Sequence, residues 1–173
     1  DVVVSLAGDK TASTSTGTDG SRSFAATTGG NYTLTPSKSQ LWKFVRSNYT
    51  FSDPLAPWGF EATGSISSLA GDLTGQDFVG IKLGDVKVSW MAPDGFPTQG
   101  VTTLDIALIR RHILAIAQLD SPYKVLAADV NNSSSVTTLD ISLIRRLILA
   151  LADTYPGPLP VNPSISVMFQ TAG

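Results

Sequence analysis

VTTLDIALIRRHILAI, residues 101–116, and VTTLDISLIRRLILAL, residues 136–151, decide the fold of this chain. They lie 35 residues apart and agree at 13 of 16 positions, so the chain carries an internal duplication. Each copy is predicted to be a helix. Thr102 and Thr137 are suited to cap it, and three residues later Asp105 and Asp140 place a carboxylate in the first turn, where the backbone N–H groups favour negative charge. Ile106, Ile109, Ile113 and Ile116 recur at helical spacing as one stripe to be buried, with Leu104, Leu108 and Ala115 on another side. In the second copy Ile141, Ile144, Ile148 and Leu151 take the same places. Helices this apolar need partners, and the duplication supplies one.

The segment before the second helix reads DVNNSSSVTTLD, residues 129–140. Counted as a twelve-residue calcium loop, it puts Asp129 at the first position, Asn131 at the third, Ser133 at the fifth, Ser135 at the seventh and Asp140 at the twelfth. Calcium takes six to eight hard oxygens, and alternate residues of such a loop turn theirs inward, the seventh through its backbone carbonyl. Ser133 and Ser134 replace the Asp and Gly of the strongest version of the pattern, which lowers the expected affinity. The same residues also suit a polar turn with a capped helix and no ion. The stretch before the first helix, PDGFPTQGVTTLD, is poorer. Asp94, Thr98, the Gly100 carbonyl and Asp105 are the oxygens it offers, and Phe96 and Pro97 fall where ligands belong. There Asp105 reads chiefly as a helix-start carboxylate.

Loop, apolar anchor, helix and duplication together, D-x-N…V-T-T-L-D-I-S-L-I-R-R-L-I-L, resemble a type I dockerin over about residues 91–155. The resemblance implies two loop–helix units related by a pseudo-twofold axis, calcium as cofactor, and a cohesin-like protein as partner. It implies partner contacts at Thr103, Leu104, Arg110 and Arg111, and at Thr138, Leu139, Arg145 and Arg146. A solvated helix face explains the paired arginines equally well.

The rest is patterned for strands. Ser23-Phe24-Ala25 and Tyr32-Thr33-Leu34-Thr35 alternate, broken by Asp19-Gly20 and Gly29-Gly30, and LWKFV, YTF, SISSL and DFVGIKLGDVKVSW follow within residues 39–90. The phrase T-D-G-x-x-x-F…G-G-x-Y-x-L resembles the carboxypeptidase-regulatory-like, transthyretin-like β-sandwich of secreted Bacteroidetes-type surface proteins. In that family the W-K-F-V…I-K-L-G-D-V block follows the dockerin-like repeat, whereas here it precedes it. The chain also begins on a strand, DVVVSL, and ends on another, SISVMFQTAG, residues 164–173. Ile165, Val167 and Phe169 would line one face of that last strand, which is expected to complete a sandwich in its own or a neighbouring subunit.

Composition narrows the function. Net charge is −2, only 15% of residues are charged and there is no cysteine, so nucleic-acid partners, disulfides and thiolate chemistry are excluded from the reading. No apolar run approaches the ~20 residues of a membrane span. His112 is the single histidine, Glu61 the single glutamate, and no nucleophile or phosphate-loop motif is present, so no enzyme is expected. Trp42, Trp58 and Trp90 suit a core better than a sugar platform. Asn31, Asn48, Asn131 and Asn132 head glycosylation triplets, compatible with an attached glycan. The expectation is an α+β protein with an antiparallel β-sandwich (Ig/transthyretin-like) in residues 1–90, a dockerin-like pair of loop–helix units in 91–155, a linker at 156–163 and a C-terminal strand at 164–173. Its expected role is that of a non-catalytic extracellular or cell-surface assembly subunit, a homopolymer built by strand complementation. The alternative is a recognition module that captures a cohesin-like partner.

Overall fold

The computed structural model describes residues 1–88 and 100–156. The N-terminal part forms β1 (Val3–Gly8), β2 (Ala12–Ser15), β3 (Tyr32–Ser37) and β5 (Gly64–Ile66), joined as one antiparallel sheet in the order β2-β1-β3-β5. Register follows from alternation: Leu6 faces Leu34 and Val4 faces Pro36, so the apolar residues of both strands fall on one side. Val4, Leu6, Tyr32 and Leu34 are buried there, under Phe24, Ile66, Leu69 and Phe78. One strand expectation is corrected. Ser23–Ala25 is irregular chain, whose Phe24 lies over the sheet as a lid rather than within it. The edge strand β2 comes from a Ser/Thr-rich run, because its β-branched threonine can pair with β1 while hydroxyls stay wet.

A second, two-stranded antiparallel ribbon pairs β4 (Trp42–Arg46) with β6 (Phe78–Lys82). Phe78, at the start of β6, packs on the first sheet's core, but the rest of the ribbon's apolar residues do not. Leu41, Val45, Ile81 and Leu83 are buried instead with residues of α1 (Thr103–Ile113), α2 (Pro122–Ala128) and α3 (Thr138–Ile148). The mixed α/β class with antiparallel sheets is therefore as expected. The described residues form a sheet with its own small core and a ribbon committed to the helices, so the hydrophobic core of the helical part reaches back well before residue 91. The C-terminal strand with Ile165, Val167 and Phe169 lies outside the described residues.

The duplicated helices match in detail. Thr102 and Thr137 accept from the N–H groups of Leu104 and Leu139, and the Asp105 and Asp140 carboxylates accept from the Thr102 and Thr137 N–H groups, each at 2.8 Å. These are reciprocal capping boxes. Ile109 and Ile144 are fully buried, but Ile116 and Leu151 are two-thirds exposed. The predicted stripes end a turn early because Ala115 (φ 54°) and Ala150 (φ 53°) turn left-handed, and the Ile116 and Leu151 N–H groups reach back to the Arg111 and Arg146 carbonyls. The second stripe is corrected too: Leu104 is 54% exposed. Helix α2 went unpredicted. Its signal is Ser121-Pro122 ahead of an apolar run, with proline supplying a preset φ at the first helical position.

Candidate metal centre and helix face

In the second loop four of the five expected ligands, Asp129, Asn131, Ser133 and Ser135, contact one another. The Ser133 N–H donates to Asp129 Oδ1 at 2.9 Å and to Asn131 Oδ1 at 3.1 Å. The Ser133 hydroxyl lies 3.5 Å from Asp129 Oδ1 and 3.2 Å from the Ser135 carbonyl. Asp140 reaches in from the first turn of α3, its Oδ1 accepting from Val130 N–H at 3.0 Å. Asn132 (φ 57°) and Ser134 (φ 61°) adopt left-handed backbone, the local cost of winding a loop this tightly. The side chains of Asp129 and Asp140 are both buried, and the Asp140 carboxyl titrates above its ordinary value, chiefly through burial and further through the charge of Asp129. Two buried carboxylates with an amide oxygen, a hydroxyl and a carbonyl around them are a donor set for a hard cation, so the residues present fit calcium. Only two members of this set are carboxylates, and among the described residues no group of three or more His, Cys, Asp or Glu side chains gathers anywhere.

Lys43 of β4 touches this loop from the ribbon. Its ammonium donates to the carbonyls of Asp129 at 2.7 Å and Leu126 at 3.3 Å, at the C-terminal end of α2, and lies 3.7 Å from Asp129 Oδ2. Burial lowers the Lys43 pKa, and the neighbouring carboxylates of Asp129 and Asp140 partly offset that. The lysine so bolts the ribbon to the helical part through backbone oxygens, a role that favours a cation at a helix C-terminus.

The first loop is built differently. Asp94 and Thr98 lie outside the described residues. The segment that stands where Asp129–Asn132 stands in the second loop is 85–88, read as Asp85-Val86-Lys87-Val88. Val88 (φ 59°) repeats the left-handed turn of Asn132 (φ 57°), and the Lys87 N–H donates to Asp105 Oδ1 at 3.1 Å as Asn131 N–H approaches Asp140 Oδ1 at 3.5 Å. Asp85 is buried as Asp129 is. By this register the loop counted from Asp85 runs nine residues longer than the second, since 105 − 85 = 20 against 140 − 129 = 11. Its third position is Lys87, whose ammonium sits 2.6 Å from Asp105 Oδ2 and 3.8 Å from Asp85 Oδ1 and donates to the Gly100 carbonyl. A cation already pairs with these oxygens, so the described residues of this loop do not fit calcium. The extra length hid the match. A twelve-residue count cannot find a loop that has an insertion.

Beneath the first loop, Gly84 (φ 87°) donates to the Ala127 carbonyl at 2.8 Å, and a side chain there would run into the Tyr155 hydroxyl and Val101. Tyr155 is buried, its hydroxyl 3.4 Å from the Leu83 carbonyl, and burial more than the nearby Asp105 charge raises its pKa.

All eight residues expected to meet a partner are exposed on α1 and α3: Thr103, Leu104, Arg110 and Arg111, and Thr138, Leu139, Arg145 and Arg146. Leu104 and Leu139 are 54% and 55% exposed, and Leu114, Ile116, Leu149 and Leu151 extend the repeated apolar surface at the helix C-termini. The His112 Nδ1 accepts from Leu119 N–H at 3.3 Å, and burial lowers its pKa. The Lys38 and Lys82 ammonium groups lie 4.7 and 5.5 Å from the centre of the Trp42 ring, and Trp58 packs on the core shared with the helices.

Residues 99–149 match the family model of the dockerin type I domain. Type I dockerin domains bind calcium through EF-hand-like loops, so calcium is the cofactor of this dockerin-like module. Dockerins are non-catalytic recognition modules that bind cohesins and occur in extracellular or cell-surface proteins. No curated protein and no solved structure matches the chain. Among the described residues no helix is long and apolar enough to cross a membrane.

Proposed function

We propose that this chain is a non-catalytic extracellular recognition module whose dockerin-like helical pair captures a cohesin-like protein. Calcium held by Asp129, Asn131, Ser133, the Ser135 carbonyl and Asp140 would fix the second loop against α3. The observation that carries the reading is the paired exposure of Leu104 with Leu139 and of Arg110–Arg111 with Arg145–Arg146 on the two repeated helices. Apolar anchors flanked by guanidinium groups are the residue types that dominate protein interfaces. The duplication offers the partner two near-equivalent docking faces. Replacing Leu104 and Leu139 together by Ala should weaken capture of a cohesin domain at least about tenfold, equivalent to about 1.4 kcal/mol. Unchanged affinity in a folded double variant would remove the helix face from the reading.

Self-assembly by strand complementation is the second reading. It draws on a groove of about 580 Å³ beside the four-stranded sheet, lined in part by Leu6, Phe24, Leu34, Ile66 and Leu69. Ile165, Val167 and Phe169 alternate as a strand filling such a groove would. If so, the intact chain scatters light as a large species and deletion of residues 161–173 returns it to a monomer. A monomeric intact chain would end this reading and leave the first untouched.

A further inference from the structure

The first loop carries its own cation. Two buried carboxylates, Asp85 and Asp105, need positive charge nearby, since unpaired buried ions are strongly destabilising. In the second loop the corresponding pair is Asp129 and Asp140, and the third position is the neutral Asn131. In the first loop the third position is Lys87, and its ammonium meets Asp105 Oδ2 at 2.6 Å, Asp85 Oδ1 at 3.8 Å and the Gly100 carbonyl. Those are the first-position carboxylate, the seventh-position carbonyl and the twelfth-position carboxylate, oxygens that a calcium loop turns to its ion. Lys87 hydrogen-bonds two of these oxygens, Asp105 Oδ2 and the Gly100 carbonyl, and reaches the third, Asp85 Oδ1, as an ion pair. A monovalent ammonium on a covalent stem cannot dissociate, and it competes with a divalent ion for the same oxygens.

We propose that Lys87 is a built-in substitute for calcium: it locks the first loop onto α1 without metal, and the module takes a single calcium ion, in its second loop. The count rests on the calcium reading of the second loop. The lysine lock does not.

Native mass spectrometry and calorimetric titration with calcium chloride on the intact chain test this. The expected number of bound ions is one for the unaltered chain, none for Asp129→Asn, two for Lys87→Asp, and one for the Lys87→Asp/Asp129→Asn double variant. Two ions on the unaltered chain, one retained by Asp129→Asn, or no gain by folded Lys87→Asp would each overturn the proposal. No ion on the unaltered chain would instead refute the second-loop reading, and the gain or lack of gain in Lys87→Asp would still decide the lock. Should Lys87→Asp not fold even in calcium, Lys87→Met settles it. Losing the charge while keeping most of the stem should lower Tm by about 10 °C, equally in calcium and in chelator. A Tm equal to that of the unaltered chain would overturn the proposal.

Discussion

The two loop–helix units share 13 of 16 helical positions and both capping boxes, yet the described ends of their loops surround the helix-start carboxylate with different groups. One gathers neutral oxygens and two carboxylates, a set that suits a divalent ion. The other, nine residues longer, threads Lys87 between its carboxylates. The difference teaches that a duplicated scaffold constrains charge balance rather than ligand identity: each buried acidic pair needs a cation, and either a side chain or an ion supplies it. It also separates two kinds of stability. On the proposed account the first unit's contribution is intramolecular and independent of solution calcium, while the second's follows calcium concentration by mass action.

The most severe way to break this contrast is to remove the twelfth-position carboxylate from each loop in turn. Asp105→Ala strands the Lys87 ammonium among buried groups and should cost about 3–5 kcal/mol in calcium and in chelator alike. Asp140→Ala should abolish calcium binding and erase the difference between the two conditions. Denaturant titration with and without calcium reads both outcomes. A calcium-dependent loss in Asp105→Ala would mean that the first loop binds the ion after all.

Gly84→Ala is the next largest test. The second repeat carries Ala128 at the matching place, but Gly84 has φ 87° and faces the Tyr155 hydroxyl. The substitution should cost about 2–4 kcal/mol by thermal unfolding, through left-handed backbone and a clash in a packed core. Chelation of the unaltered chain comes third. At free calcium 100-fold above Kd, removing it should lower stability by about 2.7 kcal/mol, with the change confined to the second unit. Smallest is the pair Ala115→Gly and Ala150→Gly, one in each copy. Glycine relieves left-handed alanine at each helix end, and each change should raise stability by about 0.5–1 kcal/mol in equilibrium unfolding, equally in both units. Unequal gains would show that the helix ends are less alike than their backbone angles.

Much of this was legible in the sequence, and the limits have physical causes. The repeat, its caps and the second loop follow from local chemistry: a capping box spans four residues and a twelve-residue loop carries its ligands at fixed spacing. Ile116 and Leu151 were misplaced because alanine at a left-handed helix end gives no signal of the kind glycine gives. Phe24 was misread as part of a strand because alternation over three residues does not distinguish a strand from a lid. Lys43 belongs to a strand 86 residues from Asp129, and its contact depends on ribbon packing that no local pattern encodes. Lys87 was within reach. The match between GDVK and ADVN was readable, but it required allowing an insertion between the first and seventh loop positions.

The most direct test of the account is amide hydrogen exchange on the intact chain, with saturating calcium and with chelator, compared peptide by peptide. The account predicts that calcium slows exchange across residues 129–140, where the ion closes the second loop, and leaves the protection of residues 85–88 and 100–105 unchanged. Calcium-dependent protection of both loops would contradict it, because the first loop would then need an ion that Lys87 is held to replace.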